Sequence, residues 1–351
     1  MDSKLNVTKE TKNKIRVDYE GKLSFKERMK EKLKASNTWI KAAVNVFRFI
    51  LMLGVSFVIL YPFFARIAGS FMTREDILDS TVALIPKHFT LDIYKYIIIE
   101  NGYFEALLNT ALLSLISALI QTLVACLIGY GLAKFKFKGN KVLMLAVILS
   151  MVIPHSTLKL ALLQHFKEFD FLTVMAWNYS GPLKLIFGEA PNLLNTFWPL
   201  IILSIFGLAF KNGLYIYLMR QFFKGVPDEL EESAYVDGAN TFRTFFQIIL
   251  PLSVPMMITI FLFSFSWQWT DNFYTDLFFI ADSESKMLLL PDIYRSWPPS
   301  IKPADGAPGA SLYQNVFHNT AGLMIIAPLV IMYLFCQRYL VQGIERSGLV
   351  G

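Results

Sequence analysis

Long apolar runs bounded by single charges dominate the pattern of polar and apolar positions along this chain. Phe49 to Ala65 lies between Arg48 and Arg66, Ala106 to Ala133 between Glu105 and Lys134, and Val142 to Leu158 between Lys141 and Lys159. A fourth run starts at Ala190, reaches Phe210 and continues past Lys211 to about Phe223. A fifth covers roughly Pro255 to Thr275, and a sixth roughly Asn315 to Gln337. A helix needs about 20 mostly apolar residues to cross the hydrocarbon core of a bilayer, with ~17 as the lower bound. The runs are apolar on all sides, so no amphipathic period marks a buried face. Their lengths suit helices rather than barrel strands, and in lipid a helix satisfies every backbone polar group within its own segment. The expectation is an all-α membrane protein with six transmembrane helices.

The connections between the runs orient them. Residues 1–48 carry 13 Lys and Arg, and the connection after the second run reads Lys134-Phe-Lys136-Phe-Lys138-Gly-Asn-Lys141. Lys and Arg concentrate in the cytoplasmic loops of membrane proteins. These two segments are therefore expected in the cytoplasm, together with both termini and the loop after the fourth run, giving an N-in, C-in topology. The connections Ser70 to Tyr103, Lys159 to Glu189 and Asp276 to Gln314 hold few basic residues and fall on the other side. The chain divides into a basic arm, 1–48, a transmembrane domain, 49–338, and a tail, 339–351. The arm is too polar, and too far from any cleavage-like site, for a signal peptide. A surface helix on the anionic leaflet between Lys22 and Lys41 fits it, and so does a solvated arm. The Pro- and Gly-rich tract from Trp297 to Gly309 reads as an extended outer loop.

Composition agrees with a membrane protein: 54% of the 351 residues are hydrophobic and only 17% charged, with a mean hydropathy of +0.46, where a soluble domain carries about a quarter charged residues. The net charge of +6 does not signal nucleic acid, because the charges lie in short loops and the arm rather than on the basic face of a soluble fold. Cys126 and Cys336 sit in apolar runs with no CxxC spacing, so buried inert thiols are expected and no metal site. No HxxxH, GxSxG or Walker A pattern occurs, hence no catalytic constellation, cofactor or nucleotide site in this chain.

The most informative polar stretch is the loop from Lys224 to Pro251. Pro227 suits the first turn of a helix, where its missing N–H leaves nothing unpaired. The acids from Asp228 to Glu232 crowd that N-terminus, where the helix dipole favours them. Leu230, Ala234 and Val236 form an apolar stripe, with Glu231, Ser233 and Asp237 elsewhere around the helix. Gly238 ends it, as a residue that tolerates a left-handed turn. A second amphipathic stretch, Phe242, Phe245, Phe246 and Ile249, follows before Pro251 breaks into the fifth run. A short acidic helix protruding from a membrane domain suits transmission of motion from a soluble partner, and an ordinary interfacial loop would show the same pattern.

Glu232-Ser233-Ala234, three residues, Gly238, nine residues and then Ile248-Ile-Leu250-Pro251 resembles the EAA motif of ABC importer permeases. The spacing matches throughout, and Ser233 in place of the second Ala exchanges one small residue for another. The resemblance implies the type I ABC importer permease fold, with this loop as a coupling helix seated in a cleft of an ATPase subunit. Glu232 would make the charged contact there with Glu231, Ser233, Ala234 and Asp237 around it, Gly238 would permit the turn, and Leu250 and Pro251 would close the motif. Phe135-Lys-Phe-Lys138-Gly139, Trp267-Gln-Trp269 and Gln337-Arg338-Tyr339-Leu-Val-Gln-Gly343 look like the carbohydrate-uptake branch, in particular its six-span maltose-transporter permeases. The tail Ser347-Gly-Leu-Val-Gly351 departs from that branch in lacking a Lys before the final Gly. The resemblance covers Phe49 to the C-terminus and leaves the arm outside it. It implies a non-enzymatic permease partnered by a second homologous permease, two ATPase subunits that bind the ATP, and an extracytoplasmic solute-binding protein in a bacterial cell membrane.

Polar residues inside a span are costly and usually face a cavity or a partner. The fifth run holds Trp267, Gln268, Trp269, Asp271 and Asn272 toward its outer half, where aromatic plates beside amides and acids match sugar rings. Lining of a substrate pathway and interfacial anchoring by tryptophan both remain open for them. Lys211 fits snorkelling or pairing across a permease interface equally well. Asn109 and Thr110 suit bonds to neighbouring elements rather than to substrate, and His155 a structural place near the outer boundary. An ABC permease for a non-sugar solute stays open too. A self-contained secondary transporter would show inverted repeats and paired mid-membrane charges, and a membrane-embedded enzyme a cluster of His or acids at one face. Neither is visible, and the four histidines are scattered.

Overall fold

The computed structural model describes residues 7–10, 16–19, 36–170, 182–280, 287–295 and 309–346. Most of the tract Trp297–Gly309, the tail Ser347–Gly351 and the arm from Lys22 to Ala35 lie outside these residues. The chain divides into two units, Met1–Arg66 and Ile67–Gly351. In the first, strands β1 (Val7–Glu10) and β2 (Arg16–Tyr19) pair antiparallel with Val7 opposite Tyr19. This short ribbon is an addition to the otherwise helical expectation. Helix α1, Ser36–Gly69, then covers the first apolar run and more, with Pro62 in its interior.

In the second unit α2 (Arg74–Leu78) and α3 (Asp92–Ile99) precede the central helix α4 (Tyr103–Lys134). Next come α5 (Asn140–Val152), a short turn at His155–Leu158, α6 (Lys159–Lys167) and α7 (Pro182–Phe187). The chain continues through α8 (Trp198–Ile205), α9 (Asn212–Lys224), α10 (Glu229–Val236) and α11 (Thr241–Thr244). A π turn at Phe245–Ile249 joins α11 to α12 (Leu250–Trp269), and α13 (Phe273–Phe278), α14 (Leu290–Arg295) and α15 (Ala310–Arg346) complete the described order.

Four of these stretches are individually long and apolar enough to cross a membrane: Trp39–Gly69, Tyr103–Lys134, Thr241–Trp269 and Ala310–Arg338. The third apolar run is not one straight span. Its helix stops at Val152, and the following segment His155–Lys167 is bent from it by 92°. Pro154 explains the break, since it pushes the residue before it out of the helical region, and Ile153 is extended at φ −67, ψ 120. The fourth run departs further from expectation. Its helix begins at Trp198 rather than Ala190, and the chain leaves helix between Phe206 and Lys211, with Gly207 at φ 71 and Lys211 at φ 65. The fifth helix starts before Pro255 and ends at Trp269, short of Thr275. Pro251 does not break it. Proline lacks an N–H and crowds the carbonyl four residues back, here that of Gln247, and the π turn widens the ladder at that place.

Three clusters of buried side chains hold the second unit together. One joins α4, α9 and α12 around Tyr130, Met219, Phe223, Ile249 and Met256. Another gathers Phe166, Leu200, Tyr274 and Phe278, and the third Ile93, Trp269 and Phe317. Close approach of α9 to α4 depends on Gly129, where a Cβ would lie 2.6 Å from the Cβ of Met219. Small residues at such crossings let helix backbones meet.

Candidate functional site

Helix α10 begins with Glu229, Glu231 and Glu232 in its first turn, where the partial positive charge of the helix end favours acids. Asp228 occupies the capping position, yet its side chain makes no cap bond. It turns instead to Lys134 at the end of α4, whose Nζ donates to Asp228 Oδ1 at 2.5 Å and to the Val226 carbonyl at 2.6 Å. That hydrogen bond and the lysine's charge hold the Asp228 carboxyl below its ordinary value. Glu231 completes the clamp. Its Oε1 lies 3.7 Å from Lys134 Nζ, and its Oε2 accepts from the Tyr130 hydroxyl at 3.2 Å. The Lys134 side chain is only 7% exposed and that of Glu231 11%, so this is a desolvated ion pair at the foot of the helix.

The end of α10 is built as expected. Gly238 takes φ 80, and the Ala239 N–H reaches back to the Ala234 carbonyl at 2.9 Å, satisfying acceptors that a helix end leaves open. The Asn240 side chain then accepts from Arg243 N at 2.8 Å and caps α11, a helix start of the usual kind. The faces of α10 differ from the expected stripe. Glu231 and Ala234 point inward, whereas Leu230 and Val236 are exposed, Val236 at 88%. The stripe divides because the inward acid has a buried cation to meet. Glu232, Ser233, Asp237 and Gly238 all lie on the exposed surface. Leu250 is half-buried against the α4–α9–α12 cluster, and Pro251 is exposed at the first turn of α12. The loop motif thus presents one face outward and holds the other on α4. Nothing local in the sequence marks Lys134 and Tyr130 for this role. The available signal was a lone charge ending an apolar helix, with a pair of acids three residues apart elsewhere.

A second polar region lies between α4, α12 and the break before α9. Gln121, Phe210, Ser264, Trp267, Gln268, Asp271 and Tyr274 line a cleft of about 10 Å³, roughly the room one water needs. Ser264 Oγ donates to Gln121 Oε1 at 2.7 Å, and Gln121 Nε2 donates to Ser204 Oγ at 3.2 Å. Gln268 Nε2 is buried with no hydrogen-bond partner among the described residues. Asp271 Oδ2 accepts the N–H groups of Tyr274 at 2.9 Å and Thr275 at 3.1 Å, and so caps α13. Trp267, Gln268 and Asp271 are therefore brought together, and two others are not. Trp269 is 3% exposed, donates from Nε1 to the Ile325 carbonyl at 2.9 Å and stacks on Phe265. Asn272 is exposed at the start of α13 and does not line the cleft. Lys211 Nζ lies over the rings of Phe210 and Trp267, at 4.8 and 5.0 Å from their centres. Asn109 and Thr110 bond the backbone of Leu288 and Leu290, and His155 contacts the Tyr274 hydroxyl at 2.8 Å.

The sequence matches the family described as binding-protein-dependent transport system inner membrane component over residues 121–346. The chain belongs to this family. It is an inner-membrane transport permease rather than an enzyme, as the loop motif implied. Among its relatives is the polygalacturonan/rhamnogalacturonan transport system permease protein YtcP of Bacillus subtilis, 26% identical over 87% of this permease and 97% of the relative. Another is the probable starch degradation products transport system permease protein AmyC of Thermoanaerobacterium thermosulfurigenes, 29% identical over 86% and 96%. The solved structure of a bacterial ABC transporter involved in import of the acidic polysaccharide alginate superimposes with a TM-score of 0.60 at 19% identity, over 87% of this permease and 98% of that chain. The fold is that of the type I ABC importer permeases.

Proposed function

We propose that this permease forms, with a second homologous permease, the path for a carbohydrate delivered by an extracytoplasmic binding protein and driven by two partner ATPase subunits. The observation that carries the coupling role is the two-faced helix α10, exposed through Glu232, Ser233 and Asp237 and pinned through Glu231 to Lys134. A force applied to the outer face has two routes inward. One runs through the buried pair at Lys134 into α4, and the other through the Gly238 turn into α11 and α12. ATP would bind in the partner subunits, and this chain would convert their closure into movement of its helices. The carbohydrate class rests on the relatives, whose names specify polygalacturonan/rhamnogalacturonan and starch degradation products. Trp267, Gln268 and Asp271 are the residues proposed to line the pathway.

Glu232→Lys reverses a charge on the exposed face without touching the clamp. In the assembled transporter it is expected to abolish co-purification of the ATPase, or to leave ATP hydrolysis running without solute uptake. Gly238→Val is expected to do the same by straining the left-handed turn, where a β-branched residue is a genuine outlier. Uptake at the unmodified rate in both variants would remove the coupling role from this loop.

A further inference from the structure

The break between α8 and α9 leaves a cation against aromatic rings with no carboxylate paired to it among the described residues. Lys211 stands at φ 65, a backbone region uncommon for a residue with a side chain. Its ammonium rests on the faces of Phe210 and Trp267. Among the described residues none of the ion pairs includes it. Ring faces attract a cation, yet they accept none of its three N–H protons in the manner of an oxygen. An ionisable residue at membrane depth normally has a partner or a task.

The adjoining cleft has the same imbalance. Its one carboxylate, Asp271, is committed to the Tyr274 and Thr275 N–H groups. The Gln121 amide is occupied on both sides by Ser204 and Ser264. What remains free is a donor, Gln268 Nε2, buried and without a partner among the described residues. The region therefore offers an ammonium and an amide N–H beside the half-exposed Trp267 ring. Surplus donors next to an aromatic face complement a sugar ring that brings anionic oxygen.

We propose that the solute passing the exposed Trp267–Lys211 face beside this cleft, which is itself too small for a sugar ring, is an acidic, carboxylate-bearing oligosaccharide and that Lys211 is its counter-ion. The proposal rests on the carbohydrate-importer reading above. Lys211 acts by charge and Gln268 by hydrogen bonding, while Trp267 stacks on the apolar face of the ring.

The test uses the complete transporter, with both permeases, the ATPases and the binding protein, reconstituted in liposomes. Uptake of labelled trigalacturonate is compared with uptake of its uncharged methyl ester, for the unmodified protein, Lys211→Asn and Lys211→Arg. Asparagine suits the left-handed backbone, so the first variant removes charge with little added strain. The acid is expected to be imported by the unmodified protein and by Lys211→Arg, and to fall at least about tenfold with Lys211→Asn, the loss typical of one charge-assisted hydrogen bond. Equal import of the acid by Lys211→Asn overturns the proposal. Import of the ester but not the acid overturns it too, while leaving the carbohydrate reading intact. Import of neither overturns the proposal, while uptake of neutral oligosaccharides by the same liposomes tests the carbohydrate reading separately. Loss of the second permease on purifying Lys211→Asn would assign the lysine to a subunit contact and likewise overturn its role as counter-ion.

Discussion

Lys134 shows how much one side chain can decide in this fold. Removing one member of a buried ion pair strands the other, at a cost of about 3–5 kcal/mol, whereas replacing both with apolar groups of similar size is close to neutral. The contact to Asp228 adds little to that figure, because Asp228 is largely exposed and exposed pairs are weak. Lys134→Met is therefore expected to lower the melting temperature of the purified permease markedly, and the double change Lys134→Met with Glu231→Leu to recover most of the loss. Independent, additive losses in the two single variants would show that the pair is not coupled. The sequence displayed both partners plainly, one as the charge ending an apolar run and the other among a helix's leading acids. Their meeting is a contact across 97 positions, from Lys134 to Glu231, and local pattern carries no record of it. The same limit applies to Trp269, whose composition resembles that of Trp267 but whose position on the helix turns it into the core.

At the scale of elements, the loop helix was legible because capping and turn chemistry are local. The proline before it, the acids in its first turn and the glycine after it each act within a few residues. The broken runs were not legible, because apolar content is the same in a straight helix and in one interrupted at Pro154 or Gly207. Two glycines separate turn strain from packing. At Gly238 no atom lies within 4 Å of a would-be Cβ, so substitution is penalised by the backbone alone, about 1–2 kcal/mol for an alanine. Asparagine is the milder change there, since it enters the left-handed region more readily. At Gly129 the backbone is ordinary helix and the obstacle is Met219, 2.6 Å from the added carbon. Gly238→Ala is thus expected to disturb coupling more than Gly238→Asn, measured as solute taken up per ATP hydrolysed. Gly129→Ala is expected to lower thermal stability. If Gly238→Asn uncouples as strongly as Gly238→Ala, the turn geometry is not what the position requires.

For the whole molecule, the contact between Lys134 and Asp228 constrains the number of crossings. Two groups 2.5 Å apart share one side of the membrane, so the chain between them crosses an even number of times. At 1.5 Å per residue, the 32 residues of α4 extend about 48 Å, beyond a hydrocarbon core of ~30 Å. Its other end lies on the far side, where the Asn101 side chain bonds Ile293 and Tyr103 reaches Met324. Between Lys134 and Asp228 the described residues long enough to take part in a crossing are the bent pair α5–α6 and the interrupted pair α8–α9, with the six-residue α7 between them. Each of α5 and α9 has 13 residues, about 20 Å of helix, too short to cross unaided. Either both interrupted segments cross, giving six spans with the four long helices, or neither does, giving four. Ile186 in α7 decides between these, because it lies between the two segments and is 71% exposed. With Cys126 and Cys336 replaced, Ile186→Cys should react with a membrane-impermeant maleimide on the face opposite that which labels Val236→Cys. Labelling of both from one face would reduce the count to four and make the two broken segments re-entrant. Six crossings remain the expectation, since interrupted helices are stable at membrane depth where protein covers their freed backbone groups, and α9 is pressed against α4 along the Gly129 contact.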